Sequence, residues 1–230
     1  MKTIVFLTGA GISVESGVPT FRDSNGLWNN FKVEDLASIE GYRRNPEAVL
    51  DFYNKRRKDL MCVEPNEAHY AITKLQEKYR VVVITQNVDD LHERAGTDMV
   101  LHLHGELKKV CSSSNKENYI KELPLDIPIK IGDKAEDGSQ LRPYIVWFGE
   151  AVPKYREALN IMQQADIFVV VGTSLSVYPA SSLVKYTRAE CNYVIDPAMP
   201  RNVGEIRPDL HVINTFASEG MKILLKELGM

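Results

Sequence analysis

The most constraining feature of the sequence is a short apolar run that leads directly into a glycine-rich segment. Residues Thr3–Leu7 read TIVFL, and Gly9, Gly11 and Gly17 follow closely. A buried first strand that ends in closely spaced glycines lets backbone N–H groups approach a phosphate. The spacing departs from the dinucleotide fingerprint G-x-G-x-x-G, because Val14 stands where the third glycine is expected. The segment therefore predicts a nucleotide-binding α/β domain and does not exclude an ordinary dehydrogenase.

Composition excludes several other classes of protein. A chain of 230 residues can form one domain, or one domain with an inserted lobe. Its net charge of −3 argues against electrostatic nucleic-acid binding as the main role, and no apolar run reaches the roughly 20 residues of a membrane helix. Cys62, Cys111 and Cys191 are scattered, which favours a reducing compartment over a disulfide framework. We expect a cytoplasmic protein with no direct nucleic-acid or membrane partner and an unknown oligomeric state.

Apolar runs of strand length alternate with helical patterns along most of the chain. Strands are predicted at Ile4–Leu7, Val81–Thr85, Val100–Leu103, Tyr144–Trp147, Ile167–Val171 and Tyr193–Ile195. Helices are predicted from Pro46 to about Cys62, after Asn66 to about Tyr79, and at Lys154–Gln164, Ala180–Ala189 and Gly220–Leu228. Several strands carry no polar face, which is typical of parallel strands covered by helices on both sides. The pattern predicts an α/β fold with a Rossmann-like, doubly wound parallel sheet.

Two regions interrupt this alternation. Residues 31–63 are helical with no strand between them, and residues 106–143 are polar, rich in proline and glycine, and too long for a plain loop in a compact domain. We predict that both belong to a smaller lobe inserted into the nucleotide-binding domain. A single domain would then span 1–230, with a large lobe of residues 1–30, 64–105 and 144–230 and a small lobe of residues 31–63 and 106–143.

Four further segments place polar residues or glycines just after predicted strands, where open α/β sheets bind their ligands. They are TQNVDDLH at Thr85–His92, LHGEL at Leu103–Leu107, VWFGE at Val146–Glu150 and VGTSLSVYPA at Val171–Ala180. Together with the stretch GAGISVESGVPTFR at Gly9–Arg22, and in this order, they resemble the sirtuins, the NAD-dependent protein-lysine deacylases. The resemblance extends over nearly the whole chain.

The resemblance implies an enzyme that splits NAD, its co-substrate, at the nicotinamide–ribose bond. The acyl group of an acyl-lysine protein or peptide would end on ADP-ribose. His104 would be the base for a ribose hydroxyl, because imidazole titrates near neutral pH. Asn87 and Asp89 would hold the nicotinamide pocket as further catalytic residues. The alternatives are a structural histidine and a helix cap formed by Asn87 or Asp89; His102, on the same strand face as His104, is expected to be structural.

The resemblance also implies a set of cofactor-binding residues. They are Gly9, Ala10, Gly11, Phe21, Arg22, Gln86, Asn87, Asp89, Gly172, Thr173, Ser174, Asp196 and Ala217. Phe21 and Arg22 match a loop that covers the cofactor, and an aromatic ring there could exclude water from the cleaving centre. Asp196 departs from the family, which usually has asparagine at this position. A carboxylate could still accept hydrogen bonds from both adenosine-ribose hydroxyls.

The substrate-binding residues implied by the resemblance fall into two groups. Val146, Phe148, Gly149, Glu150, Val177 and Tyr178 match two segments between which the acyl-lysine peptide lies as an added strand. Tyr53 and Arg56, at positions i and i+3 of a helix, resemble the subclass of sirtuins that removes succinyl and malonyl groups as well as acetyl groups. A guanidinium can bind a distal carboxylate through two hydrogen bonds. The alternative is a solvated basic helix face, since residues 55–58 are all basic.

The sequence departs from the family at the zinc site. Sirtuins typically hold a structural zinc ion with two cysteine pairs in the small lobe. Cys111 stands where the first pair begins, but Ser114 replaces its partner and no cysteine occurs between residues 112 and 190. One thiolate cannot form a tetrahedral site, so we predict no zinc and no other metal. His92, His102 and His104 are not expected to be metal ligands.

Three other activities stay open at the level of the sequence. ADP-ribosyl transfer to protein shares the cleavage of NAD but needs no acyl-lysine. A non-catalytic regulator would bind NAD or ADP-ribose without releasing nicotinamide. A dehydrogenase would transfer hydride to or from the nicotinamide ring, and the missing third glycine counts mildly against it.

Overall fold

A computed structural model gives the fold, and it describes residues 1–20, 33–198, 200 and 210–230. The strands are β1 (Thr3–Thr8), β2 (Arg80–Thr85), β3 (Val100–His102), β4 (Gly105–Ser112), β5 (Lys121–Glu122), β6 (Leu141–Ile145), β7 (Ile167–Val171), β8 (Cys191–Ile195) and β9 (Leu210–Ile213). The α-helices are α1 (Val33–Leu36), α2 (Ile39–Arg44), α3 (Pro46–Leu60), α4 (Glu67–Lys74), α5 (Leu91–Arg94), α6 (Tyr155–Met162) and α7 (Ala217–Glu227). Short 3-10 helices cover Ala10–Ser16, Leu75–Glu77 and Ala180–Tyr186.

The main sheet contains six parallel strands in the order β3-β2-β1-β7-β8-β9. The chain builds outward from β1 in one direction through β2 and β3, and then returns to β7 on the other side of β1. The strand order therefore reverses between β1 and β7, which is the place where open α/β sheets bind their ligands. The predicted doubly wound parallel sheet is confirmed.

The central strands are buried on both faces, as their unbroken apolar sequences predict. In β1, Ile4 and Phe6 belong to one hydrophobic cluster, which also contains residues of α4 and α7. Val5 and Leu7 belong to a second cluster on the opposite face, with residues of α6 and of the 3-10 helix at Ala180–Tyr186. Helices therefore cover both sides of the sheet, and the strand ends are the place where such a sheet binds ligands.

A smaller, antiparallel sheet with the order β5-β4-β6 packs with α1, α2 and α3. This part of the chain has a hydrophobic cluster of its own, which includes Leu50, Tyr53, Val110, Ile145 and Trp147. A separate core is what a second lobe requires. The division into lobes stays a prediction, and β6 lies across its predicted boundary between residues 143 and 144.

Several predicted elements need correction. Only Tyr144 and Ile145 of the predicted strand Tyr144–Trp147 lie in a strand, and that strand is β6 of the small antiparallel sheet and not one of the alternating parallel strands. Residues Ala180–Tyr186 form a 3-10 helix instead of the longer predicted helix to Ala189, because the two helix types share an apolar spacing near i+3. Strand β4 was missed because its register shifts between Glu106 and Val110, which breaks the alternation of apolar and polar residues.

The polar segment 106–143 is ordered by strand pairing and by a network of hydroxyl groups around one carboxylate. Ser112 and Ser114 each donate a hydrogen bond to Asp137 Oδ2 at 2.6 Å, and Ser139 donates to Oδ1 at 2.7 Å. These hydrogen bonds hold the pKa of Asp137 well below its usual range. The network links the end of β4 to the turn that precedes β6, close to the position where the sequence lacks cysteine pairs.

Three glycines allow the loops after β1 and β7 to touch backbone to backbone. Gly11 N–H donates to Gly172 O at 2.8 Å, and Gly9 N–H donates to Val171 O at 3.0 Å. Gly172 has a φ of +61°, and a Cβ atom there would lie 2.4 Å from the backbone nitrogen of Ile12. Gly9 and Gly11, on which the prediction of a phosphate loop is based, are therefore also required by this contact between the two loops.

We predict that Gly172→Ala lowers the free energy of unfolding by about 3 kcal/mol, because the new side chain meets both a left-handed backbone and the Ile12 backbone. Urea denaturation measures the change. Gly138→Ala is the matched control, since Gly138 has a φ of +78° but a Cβ atom added there would meet no other atom within 4 Å. The control should lose only about 1 kcal/mol, and equal losses in the two variants would contradict the proposed steric role.

Candidate functional site

The predicted catalytic and cofactor residues of the described chain follow the carboxyl ends of the main-sheet strands, at one edge of the sheet. Gly9, Ala10 and Gly11 follow β1; Gln86, Asn87 and Asp89 follow β2; His104 follows β3; Gly172, Thr173 and Ser174 follow β7; Asp196 follows β8; and Ala217 begins α7 after β9. Predicted residues Phe21 and Arg22 lie outside the described residues. The edge that these loops form is the one expected of a nucleotide site.

A buried hydrogen-bond chain joins Asn87 to Asp89. Asn87 Nδ2 donates to Gly9 O at 3.2 Å and to Ser13 Oγ at 3.1 Å, and Ser13 Oγ donates to Asp89 Oδ2 at 3.2 Å. Sequence reasoning missed Ser13, whose only signal is a hydroxyl inside the apolar part of the glycine-rich segment. These hydrogen bonds fix the amide orientation of Asn87, whose Oδ1 atom accepts no hydrogen bond from the residues that the structure describes.

Asp89 combines a helix-start contact with an unusual electrostatic environment. Its Oδ1 accepts a hydrogen bond from Leu91 N–H at 3.3 Å, in line with the capping alternative. Burial raises the pKa of Asp89, although the hydrogen bonds from Leu91 and Ser13 oppose that shift. Asp89 also lines a cavity of about 680 Å³, together with Arg56 and Lys55 of α3 and the backbone turn at residues 17–19. A buried carboxylate at a cavity wall is suited to orient a polar ligand group.

His104 is oriented as a neutral base. Its Nδ1 lies 3.1 Å from Gln86 O, and because a carbonyl only accepts, Nδ1 carries the proton and Nε2 carries the lone pair. Nε2 has no hydrogen-bond partner among the residues that the structure describes. Burial lowers the pKa of His104, while the bond to Gln86 opposes the shift. Both effects of the site, the bond at Nδ1 and the lowered pKa, favour the neutral imidazole, which can accept a proton through Nε2.

The neighbouring histidine, His102, makes two hydrogen bonds. Its Nδ1 lies 3.0 Å from Asn87 O, and its Nε2 lies 2.7 Å from Glu93 Oε1 on α5. The side chains of Glu93, His102 and Glu106 lie close enough together to surround an ion. However, Glu93 is paired with His102, and Glu106 accepts from Lys109 Nζ at 2.7 Å. We assign no metal to this group.

The remaining predicted cofactor residues are held in different ways. Gln86 Nε2 donates to Thr173 Oγ1 at 2.9 Å, which ties the loop after β2 to the loop after β7. Ser174 Oγ lies 2.7 Å from Ser176 Oγ at the surface. Asp196 is half-buried and accepts from Ala198 N–H at 2.9 Å. Ala217 packs in the hydrophobic cluster that contains Ile4 and Phe6, and its side chain has no polar group with which to contact a cofactor.

The first predicted peptide-binding segment follows β6. Val146 N–H donates to His104 O at 2.9 Å, which connects this segment directly to the candidate base. Phe148 is exposed, and Gly149 adopts a left-handed φ of +88°. The carboxylate of Glu150 is already used: Arg142 donates to it at 2.7 and 3.0 Å, and Trp147 N–H donates at 2.8 Å. Its predicted contact with substrate stays a prediction.

The second predicted peptide-binding segment follows β7. Val177 is half-buried, and Tyr178 is 81% exposed. A tyrosine ring that is almost fully in solvent, next to a sheet-edge loop, is available to a ligand laid over the surface. The assignment of Val177 and Tyr178 to substrate binding stays a prediction.

Tyr53 and Arg56 do not share one environment, although both lie on α3. Tyr53 is buried in the hydrophobic cluster beside the small antiparallel sheet, where its hydroxyl accepts from Trp147 Nε1 at 3.0 Å. Arg56 lines the cavity that also contains Asp89. Burial lowers the pKa of Arg56, and the neighbouring Tyr53 and Asp89 oppose that shift. The i and i+3 spacing therefore brings the cation, but not the phenol ring, to the cavity wall.

Among the described residues, no helix has the length and apolar character that a membrane crossing requires.

Comparisons with known proteins agree with this arrangement. The Sir2 family profile matches residues 9–179. An NAD-dependent protein deacylase of Bacteroides thetaiotaomicron is 54% identical over 228 residues, which are 97% of this chain and 97% of that protein. A crystal structure of a Sir2 homolog–NAD complex superposes with a TM-score of 0.87 at 39% identity, covering 99% of this chain and 89% of the other.

A second solved structure includes a peptide. It is a Sir2–p53 peptide–NAD+ complex, with a TM-score of 0.78 and 30% identity over 99% of this chain and 93% of the other. Family profile, sequence relative and solved structures thus agree over almost the full length of the chain. This chain belongs to the Sir2 family.

Proposed function

We propose that this protein is an NAD-dependent protein-lysine deacylase. It consumes acyl-lysine, NAD and one water, moves the acyl group to ADP-ribose, and releases free lysine, nicotinamide and O-acyl-ADP-ribose. The observation that carries the proposal is the neutral imidazole of His104, which stands beside the Asn87–Ser13–Asp89 chain at the switch point of the sheet. The family and the identity to a named deacylase support the same reaction.

In this proposal, three residues act on the reacting groups. His104 Nε2 takes a proton from a ribose hydroxyl, since Nδ1 is held by the Gln86 carbonyl. Asn87 Oδ1 and the Asp89 carboxylate bind the polar end of nicotinamide, because both amide hydrogens of Asn87 are already directed at Gly9 O and Ser13 Oγ. Ser13 positions both side chains without contacting the substrate.

The cofactor would lie across the loops after β1, β2, β7 and β8. The backbone of Gly9, Ala10 and Gly11 and the hydroxyls of Thr173 and Ser174 suit phosphate and ribose groups. The Asp196 carboxylate suits the adenosine ribose. We assign Phe21 and Arg22 to the cover of the cofactor from the family resemblance alone.

We further propose a preference for acidic acyl groups such as succinyl and malonyl. Arg56 and Lys55 place positive groups at the cavity wall, and a guanidinium binds a carboxylate through two hydrogen bonds. Tyr53 accepts from Trp147 Nε1 through its oxygen, so its hydroxyl hydrogen is the one donor that it could direct to an acyl group. Arg56 is therefore assigned the main role in this selectivity.

We also propose that the small lobe works without zinc. Cys111 is buried, and burial raises the pKa of its thiol to about 12. Zinc binds the thiolate and not the thiol, and the neighbouring serines are engaged with Asp137. The hydroxyl–carboxylate network supplies the cross-link between β4 and the turn before β6.

The deacylase proposal predicts three products from one reaction. Protein mixed with NAD and a succinyl- or acetyl-lysine peptide should yield the free lysine peptide, nicotinamide and O-acyl-ADP-ribose, all detected by mass spectrometry. Labelled NAD with unacylated protein is the control for ADP-ribosyl transfer. If no acyl chain gives the three products, the proposal fails; nucleotide binding without nicotinamide release would instead indicate a non-catalytic regulator.

The role of His104 predicts the acid side of the pH profile. Because the pKa of His104 is lowered, the base is lost only as the pH falls below the ordinary histidine value of about 6.5. The value of kcat/KM should be level just above pH 6.5 and fall at more acidic pH. His104→Gln should reduce kcat by about 10²–10⁴-fold. His211→Gln, on the exposed strand β9, is the matched control and should leave the profile unchanged.

The role of Arg56 predicts a selective loss. Arg56→Met should reduce kcat/KM for a succinyl-lysine peptide about a hundredfold, and for an acetyl-lysine peptide only a few-fold, because only the succinyl group loses a charge-assisted hydrogen bond. Lys58→Met, on the same helix but away from the cavity wall, is the control. Equal losses on both peptides would show that Arg56 is a structural residue.

A further inference from the structure

Four successive backbone carbonyls, from the last residue of β2 into the loop that follows it, accept hydrogen bonds from residues 102–107 of the chain. Two of the donors are backbone N–H groups, and two are imidazole nitrogens. The pairs are Thr85 O with Leu103 N at 2.9 Å, Gln86 O with His104 Nδ1 at 3.1 Å, Asn87 O with His102 Nδ1 at 3.0 Å, and Val88 O with Leu107 N at 2.8 Å. The loop that carries Asn87 and Asp89 is thus attached at every residue from 85 to 88, and half of the attachment depends on histidine.

The two histidines differ at their second ring nitrogen. His104 Nε2 has no partner among the described residues, whereas His102 Nε2 lies 2.7 Å from Glu93 Oε1. A carbonyl and a carboxylate can only accept, so geometry requires a proton on each nitrogen of His102. The ring is 6% exposed and lies between Asn87 at one end of the loop and Glu93 on α5 at the other. It therefore spans the segment that contains Asp89.

The charges around His102 favour the doubly protonated form. Burial alone would lower the pKa of His102, but the hydrogen bond and charge of Glu93, aided by Glu106 and by the Asn87 carbonyl, raise it above its ordinary value. Asp89, from the loop after β2, also faces this cation, which favours the charged form of Asp89. The charge of His102 helps to lower the pKa of the buried His92 on α5, and Lys108 on β4 helps to lower the pKa of Glu93.

We propose that His102 is a positioning residue for the nicotinamide end of the site: held by Glu93, its imidazolium fixes the loop from Gln86 to Asp89. If the ring loses a proton, either the Asn87 carbonyl or the Glu93 carboxylate faces a nitrogen lone pair, and one attachment of the loop is lost. This inference rests on the proposed function, since Asn87 and Asp89 matter only if the loop receives nicotinamide.

Glu93→Gln tests the inference with little risk to the fold, because the amide oxygen still accepts from His102 while the negative charge is removed. The alkaline limb of kcat/KM for NAD should move to lower pH by about one unit, which is the effect of removing a close opposite charge. The acid limb, assigned to His104, should stay in place. Glu106→Gln is the matched control: its carboxylate is bound by Lys109 and not by His102, so its shift should be less than half as large.

Nitrogen-15 NMR of the histidine rings in the free protein provides a readout that needs no turnover. His102 should carry two protons at pH 7 in the wild type and lose one at lower pH in Glu93→Gln. If the wild type turns over but the alkaline limbs of wild type and Glu93→Gln coincide, or if His102 is neutral at pH 7, the positioning role is overturned. If neither the wild type nor any variant turns over, the proposed deacylase function fails instead. The pH dependence of the Kd for NAD is then compared between the wild type and Glu93→Gln. Coinciding profiles in that comparison overturn the positioning role.

Discussion

The contact between the loops after β1 and β7 is the constraint on which the site depends. Gly11 and Gly172 approach so closely that neither position has room for a Cβ atom. This contact joins the two loops at the switch point of the sheet, and the loop after β2 attaches to both. Asn87 donates to Gly9 O, and Gln86 donates to Thr173, so the loop after β2 takes its position from both partners. The candidate catalytic groups are therefore positioned by contacts within the protein itself.

His102 and His104 show how neighbouring hydrogen-bond acceptors determine the protonation state of an imidazole ring. Both use Nδ1 to hold a carbonyl of the same loop, so both have a structural role. The second nitrogen separates them, because His102 meets Glu93 whereas His104 meets no protein acceptor among the described residues. One imidazole is therefore kept as a cation and the other as a neutral base. Glu93 on α5 makes the largest contribution to this difference, and Glu106 adds to it.

The region around the small antiparallel sheet combines a hydrophobic cluster of its own with the Arg142–Glu150 ion pair beside the candidate peptide segment. The Arg142 guanidinium lies 3.5 Å from the centre of the Trp147 ring and forms a bidentate pair with Glu150. Trp147 also donates to Tyr53, which connects the segment Val146–Gly149 to α3. Aromatic packing and hydrogen bonds thus hold the segment that follows β6 in place. The Asp137 network does the same for the turn that precedes β6.

Sequence alone determined the parallel sheet, the helix starts at Pro46 and Asn66, and the strand-end positions of the candidate site residues, because apolar periodicity, capping and motif order are local properties of the chain. Tertiary structure decided what depends on distant residues meeting. It placed β6 in an antiparallel sheet, buried Tyr53 against Trp147, occupied Glu150 with Arg142, and brought Ser13 and Glu93 to the site. Hydrogen bonds between residues many positions apart leave no periodic signal, so no local pattern could have predicted them.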